Sequence, residues 1–129
     1  MERVRVALIG AGRTGTTFLR EMLKYDYVEV LGVSDLEESA PGMQLARERG
    51  IETTPDPMEL LGLGEKIDIL VDLSGDLEFK RRIKDYFERI DNTHTIIMHE
   101  LIARLCISLA TRQNHLLPTV HPEDTGIGY

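Results

Sequence analysis

Val4-Arg5-Val6-Ala7-Leu8-Ile9, running directly into Gly10-Ala11-Gly12-Arg13-Thr14-Gly15, is the stretch that decides the fold. The first six residues are apolar except for Arg5 and read as a buried strand, and the glycines that follow have the G-x-G-x-x-G spacing of a turn opening a helix. Phe18, Leu19, Met22 and Leu23 then recur at helical period. A second apolar run, Val28, Val30, Leu31 and Val33, ends in Ser34-Asp35. Strand, glycine turn, helix, strand and acidic tip together predict a βαβ unit that binds a dinucleotide. Gly10 serves the tight turn, Gly12 the close approach of a pyrophosphate, and Gly15 the packing of helix on strand. Unpaired amides of the first helical turn, with a dipole of about half a charge, hold the anion. Asp35 follows Gly15 by 20 residues, the separation at which a carboxylate reaches ribose hydroxyls. A glycine-rich turn alone is a weak signal, so the flanking elements carry the assignment.

Composition narrows the class. The 129 residues, 42% hydrophobic and 29% charged, predict one globular domain with room for a core but not for a separate substrate domain. A net charge of −7 argues against a nucleic-acid surface. The N-terminal apolar run is only six residues long and ends in glycines with no cleavage signature, so neither a signal peptide nor a membrane span is expected, and the expected location is the cytoplasm. Cys106 is the sole cysteine. It excludes an intrachain disulfide, and its place beside Leu105 and Leu109 predicts a buried thiol.

Strand and helix signals alternate onward. A helix with Pro41 in its first turn, capped by Ser39 or a neighbour, ends at Gly50, and a strand covers Ile51 to Thr54. Asp56-Pro57 starts a brief helix that runs through Leu61. Ile67 to Leu73 is a fourth strand; the helix after it sets Leu77, Ile83, Phe87 and Ile90 on one face and Lys80, Arg81, Lys84, Glu88 and Arg89 mostly outward. A fifth strand covers Thr95 to Met98, and a last helix covers about 100–114. The expected fold is α/β: a doubly wound, mostly parallel five-stranded sheet in three layers, α/β/α. Residues 1–115 form the dinucleotide-binding domain and 116–129 an irregular C-terminal extension. Ligands of such sheets sit at the carboxyl ends of the strands, which gathers Gly10 to Gly15, Asp35, Leu36, Ser74, Gly75 and His99 around one crevice.

The order VALIGAGRTG, VLGVSD, IDILVDLSG resembles the Rossmann-like NAD(P)-binding N-terminal domain shared by homoserine dehydrogenase, dihydrodipicolinate reductase, aspartate dehydrogenase and glucose-fructose oxidoreductase type enzymes. It is also similar to the small Rossmann domains attached to bacterial sensor histidine kinases, and the resemblance covers about residues 3–110. It implies that Gly10, Gly12 and Gly15 line the pyrophosphate, that Asp35 faces the adenosine ribose, and that Ser74-Gly75 pass near the nicotinamide half; Ala11, Arg13, Thr14 and Leu36 complete the expected cofactor-binding set. The glucose-fructose type carries a catalytic lysine after its fifth strand, where this chain has Met98-His99-Glu100-Leu101.

Asp35, Glu37 and Glu38 repel an additional 2′-phosphate and favour NAD, whereas Arg13 in the turn leaves NADP open unless it is only a solvated loop cation. His99 is the one candidate acid or base, against a plain role beside a helix cap or in an interface. His94, His115 and His121 have no metal-ligand spacing. Asp72, in a central strand, should bond loop amides. The last helix is apolar nearly all round, which predicts that its outer face meets a second copy or a protein partner, unless the tail folds over it. The leading expectation is a stand-alone NAD(H)-binding module with a sensory or regulatory role. The alternatives are an NAD(P)-dependent oxidoreductase, or its nucleotide-binding subunit, with a site completed by another chain, and a structural dimerisation domain without ligand.

Overall fold

A computed structural model describes residues 1–126, so Gly128 and Tyr129 of the expected tail lie outside the described residues. The strands are β1 (Val4–Ile9), β2 (Val28–Ser34), β3 (Thr53–Thr54), β4 (Ile69–Asp72) and β5 (Ile96–Met98). The helices are α1 (Arg13–Met22), α2 (Pro41–Glu48), α3 (Pro57–Leu61), α4 (Leu77–Arg89) and α5 (Glu100–Ala110). All strand pairs are parallel, in the order β3-β2-β1-β4-β5. The chain winds outward from β1 through β2 to β3 and then returns to β1's other side as β4, so the winding reverses between β1 and β4. Ile9 stands in register with Ser34 on one side and Asp72 on the other, which brings three strand ends to one edge.

The pleat of β1 splits its side chains between two cores. Val6 and Leu8 join Phe18, Leu19, Met43 and Ile107 on one face, while Ala7 and Ile9 join Leu61, Ile83 and Phe87 on the other. A central parallel strand covered on both faces has no polar side, which is why VALI reads as a continuous apolar run.

Local chemistry accounts for the helix starts. The Asp56 and Asp76 side chains cap α3 and α4, accepting from the amides of Met58 and Phe79 at 3.0 and 3.2 Å. At α2 the cap position is Ala40, which has no side-chain bond, and the expected Ser39 hydroxyl donates to Glu37 instead. The strand expected over Ile51 to Thr54 pairs only at Thr53–Thr54, and α5 stops at Ala110 rather than near 114.

Two helix faces differ from expectation. On α4 the inward residues are Phe79, Lys80, Ile83 and Phe87, while Leu77 and Ile90 are exposed. Lys80 is carried inward because polar groups of the C-terminal segment meet it: Asp124 pairs with its ammonium, and the Gly126 carbonyl accepts from Nζ at 3.0 Å. On α5 only Glu100, Ala103, Ile107 and Ser108 are buried, and Cys106 is half-buried, since it lies about 100° round the helix from Ile107. Leu101, Ile102, Leu105 and Leu109 are exposed. The tail covers α5 only along one edge, where Arg104 donates to the Leu117 carbonyl and the Leu117 amide donates to Ser108 Oγ at 2.8 Å.

Candidate functional site

The turn after β1 is shaped by contacts that exclude side chains. Gly10 has φ +99°, and a Cβ there would stand 2.8 Å from the carbonyl carbon of Leu73. A Cβ on Gly15 would overlap the Gly10 carbonyl, so the helix can approach the turn only as glycine. Gly12 is different: a Cβ there would meet nothing within 4 Å, so its outer side is open. Thr16 N donates to Gly12 O at 2.9 Å as the first helical bond, and the amides of Arg13, Thr14 and Gly15 precede any helical acceptor. These amides sit at the positive end of α1, an arrangement suited to phosphate oxygens.

Asp35 braces this turn. Its Oδ2 accepts from the Ala11 amide at 2.7 Å and its Oδ1 from the Glu37 amide at 2.8 Å, which joins the tip of β2 to the glycine loop. Each oxygen keeps a second lone pair for a ribose hydroxyl. Beside it lies a cavity of about 520 Å³, bounded by Asp35 and Leu36, the Pro55–Met58 turn, and Ser74, Phe79 and Arg82. That volume falls in the usual range of ligand pockets, about 300–1,000 Å³. Ser34, on its wall, is fully buried, and its Oγ has no hydrogen-bond partner among the described residues. A smaller pocket of about 210 Å³ continues over Gly10, Gly12, Arg13, Thr14 and Gly15, sharing Asp35 and Ser74 with the first and roofed by Val120 and His121.

Arg13 borders the smaller pocket and an adjoining groove formed with Thr17 and Leu117–Val120; the cation on the wall of the larger cavity is Arg82. Arg82 lies 5.9 Å from the Phe79 ring centroid. A charge on α4 that folds into the space beside β2 leaves no local signature in sequence.

Asp72 and His99 end β4 and precede α5, respectively, and lie side by side. Asp72 Oδ1 accepts from the Ser74 amide and hydroxyl at 3.0 and 2.7 Å, as a central-strand carboxylate requires. Its Oδ2 lies 3.7 Å from His99 Nδ1, an approach without a hydrogen bond. Burial raises the Asp72 pKa above its ordinary value, against the hydrogen bonds from Ser74; Asp124 pushes the same way and Lys80 opposes. Burial and then Lys80 lower that of His99, with Asp124 opposing. The His99 side chain is 14% exposed and enters the lining of neither cavity, so it sits beneath the crevice rather than open at its mouth. The described residues contain no group of three or more His, Cys, Asp or Glu placed to hold a metal ion.

No protein-family model matches the chain. It is 40% identical over 60 residues to acetaldehyde dehydrogenase 1 of Novosphingobium aromaticivorans, a match covering 46% of this chain and 19% of that protein. It is 32% identical over 92 residues to acetaldehyde dehydrogenase 1/2 of Rhizorhabdus wittichii, covering 70% of this chain and 29% of the relative. The chain thus spans under a third of the length of either relative. Among solved structures it is similar to a dehydrogenase from Chromobacterium violaceum (TM-score 0.58, 13% identity, 87% of this chain and 33% of that one). It is also similar to an oxidoreductase from Agrobacterium radiobacter in complex with NAD+, L-tartaric acid and magnesium (TM-score 0.55, 14% identity, 85% and 32%). The fold is a Rossmann-type α/β domain.

Proposed function

We propose that the chain is the nicotinamide-dinucleotide-binding domain of an NAD(P)-dependent oxidoreductase whose substrate-binding groups lie outside this Rossmann fold. The observation that carries this reading is the crevice at the β1/β4 reversal, where the open side of Gly12, the leading amides of α1 and the Asp35 carboxylate face adjoining cavities. The relatives are dehydrogenases, and nothing in them favours the sensory or regulatory role expected from sequence. Hydride transfer needs a substrate held against the nicotinamide in a water-poor site, which a nucleotide fold supplies only together with groups beyond it.

Asp35, Glu37 and Glu38 at the ribose end favour NAD over NADP, because a 2′-phosphate there meets like charge. Arg82 is the cation on the cavity wall that would moderate the preference. The exposed leucines of α5 support pairing with a second copy of the chain.

Thermal unfolding with NAD, NADH, NADP and NADPH in turn tests the reading. A ligand at about 100 times its dissociation constant adds roughly 2.7 kcal/mol to the folded state. NAD or NADH is expected to give the largest shift, and Asp35→Ala to reduce it. No shift with any of the four removes the proposal and leaves a structural domain.

A further inference from the structure

The C-terminal segment roofs the crevice at one particular place. The His121 ring lies so close to Gly75 that a Cβ there would overlap it, and Gly75 itself has φ +71°. Val120 and His121 close the pocket over Gly10 to Gly15, whereas none of the described residues of this segment lines the larger cavity at Asp35. The two ends of the crevice therefore differ. The adenosine side is open, and the route along Ser74 and Gly75 is filled.

The segment is held by a series of specific contacts. The Thr119 hydroxyl donates to Glu100 Oε1, and its own oxygen accepts from the His121 amide at 2.9 Å. The Asp124 amide donates to the His121 carbonyl at 2.9 Å, and its carboxylate pairs with Lys80, both side chains being 1% exposed. Lys80 also donates to the carbonyls of Thr125 and Gly126. An ion pair so deeply buried specifies one position, because withdrawing either partner leaves an uncompensated charge. Among the described residues of the segment only Leu117, ahead of these anchors, packs against the apolar core. The strap can thus leave at the cost of polar contacts without opening a core.

Building on the dinucleotide reading, we infer that with residues 117–126 in place the crevice takes an adenine nucleotide that ends at its diphosphate, such as ADP, and that His121 occupies the space of the second nucleoside of NAD. The adenosine fills the cavity between Asp35 and Arg82, beside the Ser34 hydroxyl, which has no partner among the described residues, and the diphosphate lies on the α1 amides. NAD binds in full only when the strap is displaced, so its affinity carries the cost of breaking the Lys80–Asp124 anchor.

Isothermal titration with ADP and with NAD+ tests this on the full chain. The wild type is expected to bind ADP at least about tenfold more tightly than NAD+. Asp124→Asn, which weakens the anchor, and His121→Gly, which removes the ring, should each move the ratio of the two dissociation constants about tenfold towards NAD+. Circular dichroism confirms that each variant is folded, and either variant suffices. Equal affinities in the wild type with an unmoved ratio in the folded variants would overturn the inference while leaving dinucleotide binding intact. A loss of NAD+ affinity in His121→Gly would also overturn it, by making His121 a ligand contact. If neither nucleotide binds the wild type, the dinucleotide reading itself falls, and this inference with it.

Discussion

Gly10 and Gly50 both have positive φ, +99° and +73°, but only Gly10 is also pressed against backbone. The backbone it would strike, Leu73, is fixed by its amide's 2.7 Å bond to the Ile9 carbonyl, so the clash cannot relax by moving a side chain. Gly10→Ala is therefore expected to cost more than the roughly 1–3 kcal/mol of an unfavourable φ alone. Gly50→Ala, with nothing within 4 Å of the new Cβ, should cost only that strain. Urea denaturation of both variants checks the difference, and equal losses would show that the β1/β4 contact is slack. The same contact explains why Gly10 was legible from sequence. A strand end, a tight turn and a helix start impose their requirements within a few residues, and each requirement selects glycine.

At the scale of elements, β1, α1 and β2 follow their apolar periodicity, α4 follows it at Ile83 and Phe87 but not at Leu77 and Ile90, and the Asp56 and Asp76 caps follow local hydrogen-bond chemistry. What could not be read were positions settled by distant chain. Lys80 looks like a solvated helix cation until Asp124, 44 residues on, folds against it. His121, without ligand spacing, gains its place only because the strap returns across Gly75. The apolarity of α5 was visible, but its distribution was not: Ala103 and Ile107 meet the sheet, leaving Leu101, Ile102, Leu105 and Leu109 exposed at 59, 50, 47 and 69%. Residues four apart stack along one helix face, so Leu101, Leu105 and Leu109 form a stripe. If a second copy covers that stripe, the wild type sediments as a dimer at micromolar concentration and Leu105→Glu with Leu109→Glu sediments as a folded monomer. A monomeric wild type removes this pairing.

The whole molecule responds to pH through groups spread over its sheet. Arg5 hydrogen-bonds the half-buried carboxylate of Asp68 and holds its pKa far below the ordinary range, so its favourable contribution is present above the unfolded carboxylate value of about 3.8 and is lost only in stronger acid. Asp72 acts in the opposite sense, since burial raises its folded pKa: acidification through that raised value protonates the native state first and favours it. Asp72 thus opposes His99 wherever their titration ranges overlap. Because burial and Lys80 depress the His99 pKa below 6.5, the unfolded chain takes up its proton more readily than the native one. The native state's advantage from a neutral His99 is complete above pH 6.5 and declines as the pH falls from there through the depressed folded value. The midpoint of urea unfolding should therefore drop between pH 7.5 and 5.5 in the wild type, and drop less in His99→Gln, whose side chain cannot be charged. Comparing the two proteins removes the contribution of the other three histidines, which both share. Parallel declines in the two would mean that protonated His99 is accommodated beside Asp72 Oδ2, 3.7 Å away, and that this corner of the crevice tolerates charge.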